Sequence, residues 1–263
     1  MLKKTLFQLL PVGILFITTH SLKASFIVIP DTNIHLITPD NLNKQILIQA
    51  YKVVWSQQVT EPDGTQRKGI NTITDEVKIE KDSKGSKVIH RRLKWADTDD
   101  NVYIKSDRLD YGTLQPLSID IRWNPAYVQH TDISGNQLVS SSIKNEFTPA
   151  RISVAQLEKA GFTWSSDGFM LVVCGGEISG SFALQTLSGL PHQPKIEQKQ
   201  FEYVGEEKVT IAGIGGFQTR VIKDVGRNIV ATYWLSEKKP YIVKVRFDQP
   251  SGQMTEWKLE ELE

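Results

Sequence analysis

The sequence predicts a mainly β fold: large curved antiparallel sheet, with one or two short helices near the middle of the chain. Three observations carry that expectation. Apolar residues alternate with polar ones over most of the chain, which is the pattern of half-buried strands. Turn-forming residues separate the alternating runs. One eight-residue alternating stretch occurs twice. The 263 residues, 40% hydrophobic and 23% charged, supply enough apolar surface for a core and exclude a disordered or collagen-like chain.

The strands follow in order. Leu47, Tyr51, Val53 and Trp55 fall on one face of a first long strand. Glu61-Pro62-Asp63-Gly64 turns the chain, and Ile73, Val77 and Ile79 share a face of the return. A turn at 81–86 leads to a third strand marked by Ile89, Leu93 and Trp95, and 102–109 reads as a fourth. Further strands are expected at 137–147, 201–211, 217–223, 228–235, 241–247 and 254–259. Ser153-Val154-Ala155-Gln156 has the capping-box pattern of a helix start, with Gly161 as its stop. Residues 181–188 form a second helix candidate, with Leu184 and Leu187 three apart and Pro191 beyond.

The repeat pairs Pro116-Leu117-Ser118-Ile119-Asp120-Ile121-Arg122-Trp123 with Pro240-Tyr241-Ile242-Val243-Lys244-Val245-Arg246-Phe247, without a gap. Proline cannot donate to a ladder, so it fits the first residue of a strand. The two copies imply either duplicated halves, 25–147 and 195–263 joined by a partly helical segment 148–194, or one large sheet with pseudo-symmetry.

Residues 1–24 read as a secretory signal. Lys3 and Lys4 precede an apolar run from Leu6 to Ile17, and Ala24 precedes a cut before Ser25. That run is shorter than the roughly 20 residues a spanning helix needs, so the chain is expected to be exported across the membrane and not integral to it. No cysteine lies near the cut to carry a lipid, which points to a periplasmic or secreted protein. The mature chain, residues 25–263, carries 28 basic and 30 acidic residues, which gives no electrostatic case for nucleic acid. Cys174 is the one cysteine and cannot form an internal disulfide; its apolar run, Phe169 to Cys174, reads as buried.

No motif assembles a catalytic, cofactor or metal site. His20, His35, His90, His130 and His192 are scattered without metal-binding spacing. Asp97 to Asn101 lacks the glycine and glutamate of a calcium loop, with Val102 and Arg108 at those positions. Gly213-Ile214-Gly215-Gly216 lies between alternating runs and reads as a tight turn, not a phosphate cradle. Gly176 to Gly180 places its serine one residue late for a nucleophile elbow. The pairs Asp99-Asp100 and Glu206-Glu207 point to opposite faces of a strand. Trp55, Trp95 and Trp123 share the phase of their strands' aliphatic residues, so they read as core; the alternative is an aromatic face for an apolar or sugar ligand.

The stretches 205–213, 217–221, 233–236 and 240–244, with Thr113-Leu114-Gln115-Pro116-Leu117 upstream, resemble a family of uncharacterised bacterial periplasmic β-sheet domains of unknown function. That family is similar in layout to the LolA, LolB and RseB lipoprotein-carrier group. The resemblance implies a curved sheet closed by helices over a hydrophobic cavity, and a non-catalytic envelope protein binding a lipid or lipoprotein. Two alternatives stay open. One is a structural or interaction module of the envelope. The other is a secreted hydrolase with His90, His130 or His192 in a site assembled only in three dimensions.

Overall fold

Alternation becomes register in the computed structural model, which describes residues 34–42, 48–70, 72–96, 101–123, 127–144, 149–163, 167–174, 180–191, 193–226 and 228–263. Residues 1–33, which hold the expected signal, and Leu47, Asp97 to Asp100, Trp164, Gly176 to Ser179, His192 and the side chain of Cys174 lie outside the described residues.

The described residues form seventeen strands and one helix. The first half holds β1 (His35–Ile37), β2 (Tyr51–Thr60), β3 (Gln66–Lys68), β4 (Thr72–Lys81), β5 (Lys87–Ala96), β6 (Val102–Asp110), β7 (Pro116–Trp123), β8 (Tyr127–Ser134) and β9 (Gln137–Ile143). The middle holds β10 (Arg151–Gln156), β11 (Phe162–Thr163), α1 (Asp167–Cys174) and β12 (Ser181–Ser188). The chain ends with β13 (Lys195–Ile211), β14 (Gly215–Asp224), β15 (Val230–Leu235), β16 (Ile242–Asp248) and β17 (Met254–Leu262).

All seventeen strands belong to one curved sheet, antiparallel except where β1 and β11 run parallel to β12. Hairpin neighbours pair in sequence from β4 to β10 and from β12 to β17. β2 joins the two runs, lying between β17 and β4. The first and last parts of the chain are thereby stitched together at the centre of the sheet, with β10 at one end and β12, flanked by β1 and β11, at the other. Those ends face each other. Ile119, Ile133 and Leu138 from β7–β9 pack with Leu157 and with Leu187 of β12 in one buried cluster. Ser153 Oγ donates to the Pro191 carbonyl at 3.0 Å, and Gln185 Nε2 donates to the Ala160 carbonyl across the same seam.

The inward face holds the main core. Tyr51, Val53 and Trp55 from β2 meet Ile73 and Val77 from β4 and Ile89 and Leu93 from β5, in the phase the sequence predicts. Met170, Leu171, Val172 and Val173 of α1 are all buried in that core, as are Phe162, Phe182 and Leu184. A helix that is apolar on every side is a buried helix, and α1 fills the space the curved sheet encloses. Each of those four side chains contributes about 1.5–3 kcal/mol by leaving water.

Three expectations are corrected. Ser153 to Gln156 is not a helix start but part of strand β10. Ile152 and Val154 alternate there with Ser153 and Ala155, and β9 supplies a continuous ladder partner from Gln137 to Ser142. Gly161 therefore stops no helix; it sits where a Cβ would meet Ile196 and the backbone of Leu187. Residues 181–188 are likewise a strand, β12, paired with β13 along its full length. Both faces of β12 are buried, one on the core and one on the seam, so its alternation is erased and only Leu spacing remains to be read. The helix forms instead within the apolar run holding Cys174.

The repeated stretches occupy β7 and the approach to β16. Pro116 is the first residue of β7, as expected, whereas Pro240 and Tyr241 precede β16. Tyr241 takes φ 68°, a conformation rare for a bulky residue. Its ring packs edge-on to Tyr51 at 5.7 Å and its hydroxyl accepts from the Gln49 amide at 2.7 Å. Gly213 turns the β13–β14 hairpin at φ 78°, in agreement with the tight-turn reading.

Candidate functional site

Four places among the described residues depart from a plain apolar-inside, polar-outside pattern: a charged cluster inside, a separate buried pair of Lys199 with Asp224 at 3.1 Å, a histidine clamp outside, and an apolar strip on the outer face near the β10 end.

The inner cluster lies on β2, β4, β5 and β6. Asp75 accepts two bonds from Arg91, Nε at 2.9 Å and Nη2 at 2.7 Å, and a third from the Tyr51 hydroxyl at 3.2 Å. Lys105 Nζ lies 3.3 Å from Asp107 Oδ1, and Asp107 stands opposite Arg91 in the β5–β6 ladder. Lys105 and Asp107 are 1% exposed, so both charges sit fully inside. Burial, then the Asp75 charge, holds the Tyr51 hydroxyl well above its ordinary range. Burial and the Asp107 charge likewise push Tyr103 upward. Arg91 rises, because its contact with Asp75 outweighs the desolvation that opposes its charge. Each acid has its base beside it, so the group is a balanced internal clamp between strands. Sequence reasoning passed over it. The available signal was charge standing in apolar phase: Asp75 between Ile73 and Val77, and Arg91 between Ile89 and Leu93.

On the outer face, His130 of β8 bridges two carboxylates. Its Nδ1 lies 2.7 Å from Asp120 Oδ1 on β7, and its Nε2 lies 3.1 Å from Asp132 Oδ2. The Asp120 hydrogen bond raises the His130 pKa above its ordinary 6.5, against some desolvation. Both ring nitrogens are engaged on an open surface. The other described histidines lie elsewhere: His90 Nδ1 is 3.5 Å from Glu80, and His35 is in β1. Among the described residues, no three His, Cys, Asp or Glu side chains are grouped to hold a metal ion.

The apolar strip begins beside that clamp. Ladder partners place Val128 opposite Ile143 and Val139 opposite Val154, with Ile152 two residues from Val154 on the same face. All five are exposed, Ile152 at 74% and Val154 at 65%. Along the same ladders, the outward positions of β4 and β5 are charged: Glu76 faces Arg92, and Lys78 faces His90. β10 carries no strand register on its far side among the described residues. An apolar outer face thus runs up to the seam where β10 meets the β12 end of the sheet.

A cleft next to α1, bounded by Leu171, Val172, Arg220, Leu235, Ser236 and Glu237, has about 10 Å³, close to the space of one water.

Two outcomes test the polar groups. Asp75→Asn leaves the buried Arg91 uncompensated and costs about 3–5 kcal/mol in urea unfolding; Asp75→Leu combined with Arg91→Met is less destabilised than that single change. For His130, the folded pKa lies above the unfolded value. The clamp's contribution is therefore complete below about pH 6.5 and is lost as pH rises through the raised folded value. Asp120→Asn brings the His130 pKa down in an NMR titration.

No family model matches the chain, and no curated protein matches it either. Solved structures do match. One is the crystal structure of a beta-barrel-like protein of domain of unknown function DUF1849 from Brucella abortus, with a TM-score of 0.52 at 8% identity, covering 84% of this chain and 99% of that one. At that identity the likeness concerns the fold alone: this chain shares the architecture of an uncharacterised β-barrel-like domain.

Proposed function

We propose that this chain is an exported, non-catalytic protein of the cell envelope that binds an envelope protein through the apolar outer face of β8–β10. The observation that carries the reading is the exposed strip Val128, Val139, Ile143, Ile152 and Val154 on the outer face of β8–β10. A partner laid across this face brings its own apolar side chains against Ile152 and Val154. Arg151 and Lys144 flank the strip at one end, so acidic residues beside the apolar ones complete the match.

The lipophilic-carrier reading, suggested by the resemblance to LolA, LolB and RseB, needs a hollow sheet. Here the enclosed space holds α1, Phe162, Phe182 and Leu184. A lipoprotein partner remains compatible with the proposal when its protein part makes the contact. Export supports this role, since Lys3, Lys4 and the apolar run to Ile17 direct the chain out of the cytoplasm.

The test places a photocrosslinking benzoylphenylalanine at Val139 in the protein made in its own cells. One defined adduct is expected, and the Ile152→Lys, Val154→Lys variant abolishes it while leaving the unfolding midpoint within about 0.5 kcal/mol of the parent. Equal adduct yield in parent and variant contradicts the reading, as does the same adduct from a crosslinker at Lys78.

A further inference from the structure

A second surface stands apart from the β8–β10 face. One row of the inward ladder runs Trp55, Ile73, Trp95, Tyr103, Trp123, each opposite the next on neighbouring strands. The row passes from full burial at Trp55 to 38% exposure at Trp123, so it climbs from the core to one rim of the sheet. Trp95 stacks on Tyr103 at 5.0 Å, Tyr103 meets Trp123 edge-on at 6.4 Å, and Trp257 of β17 meets Trp95 edge-on at 5.9 Å.

Hydrogen-bond donors beneath these rings lack acceptors. The Nε1 atoms of Trp95 and Trp257 and the Nε2 of Gln57 are buried without a partner. Gln57 is opposite Trp257 in the β2–β17 ladder and is 4% exposed. Its Oε1 accepts from the Ile70 amide at 2.9 Å, which fixes the amide group with its N–H side unpaired. Buried donors of this kind normally find a partner, and half of the six unpartnered buried polar atoms among the described side chains gather here.

From this we infer that the aromatic rim around Trp95, Trp123 and Trp257 is a binding site for a neutral saccharide bearing acetamido groups. Trp123, exposed at the rim, offers an indole face to the C–H side of a pyranose. The unpaired donors are neutral N–H groups, which suit carbonyl and hydroxyl oxygens and give no reason for an anion. An acetamido carbonyl is the strongest neutral acceptor such a sugar carries. Trp257 is half-buried between Trp95 and Phe247, and the inference requires its ring to turn aside so that a sugar oxygen reaches the buried donors.

The probe is chitotetraose, titrated calorimetrically into the purified mature chain. Saturable heat is expected. Trp95→Phe and Trp257→Phe keep a ring but remove the N–H, and each weakens binding about fivefold. Trp123→Ala, at an exposed position, weakens it as well without disturbing the unfolding midpoint. No saturable heat from the parent chain overturns the inference, and so does an unchanged affinity in the Trp95→Phe, Trp257→Phe double variant. Neither outcome touches the β8–β10 face, whose crosslinking test is read separately.

Discussion

The structure depends on one constraint: a sheet that bends enough to bring its ends together must fill its own concave side. A strand-rich chain of this length generates a long apolar inner face, and water on that face costs about 25 cal/mol per Å². The solution here is internal. The chain leaves the sheet after β11, passes through α1 and returns as β12, so the filling and a strand at the seam come from one stretch of chain. The Leu157 and Leu187 cluster then joins sheet ends that are distant along the ladders. Because the β2–β17 ladder binds the chain's early and late parts at the opposite side, neither half holds its curvature without the other.

Charges inside this core follow from the same economy of space. Strands β4 to β6 cross the region where inward side chains are Asp75, Arg91, Lys105 and Asp107. Buried pairs of this kind add little net stability over apolar packing, yet breaking one is costly. Their effect is on register. A one-residue slip of β5 against β4 takes Arg91 away from Asp75, and a slip against β6 takes it away from Asp107. The clamp therefore penalises misaligned sheets more than it stabilises the correct one.

Much of the fold was legible in the sequence because alternation survives wherever one face is wet. Tyr51, Val53 and Trp55 lie inward as their phase requires, and the hairpins from β13 to β17 fall near their expected positions. The middle was not legible, for different reasons at each element. β12 lost its period because both faces are covered. In β10, four residues matched a helix-capping pattern, but the β-branched Ile152 and Val154 and a ready partner strand outweighed it. The α1 run showed no amphipathic face because it is enclosed on all sides. The apolar strip was hidden in another way: Val139, Ile143, Ile152 and Val154 look like core residues in any alternating strand, and only the three-dimensional edge reveals that they face outward. For the aromatic rim, the sequence offered both a core and a ligand-facing role, and the ladder joins them, with Trp55 in the core and Trp123 at the surface.

The proposed role at the surface rests on an interior occupied by the chain's own side chains, where a carrier would hold a ligand. Native mass spectrometry of the mature protein, extracted from cells and purified without detergent, is the most direct test of that difference. The account predicts the mass of the polypeptide with no acyl lipid retained. A stoichiometric lipid adduct that survives gentle desolvation would show that the sheet encloses a ligand, and would contradict the role assigned to α1.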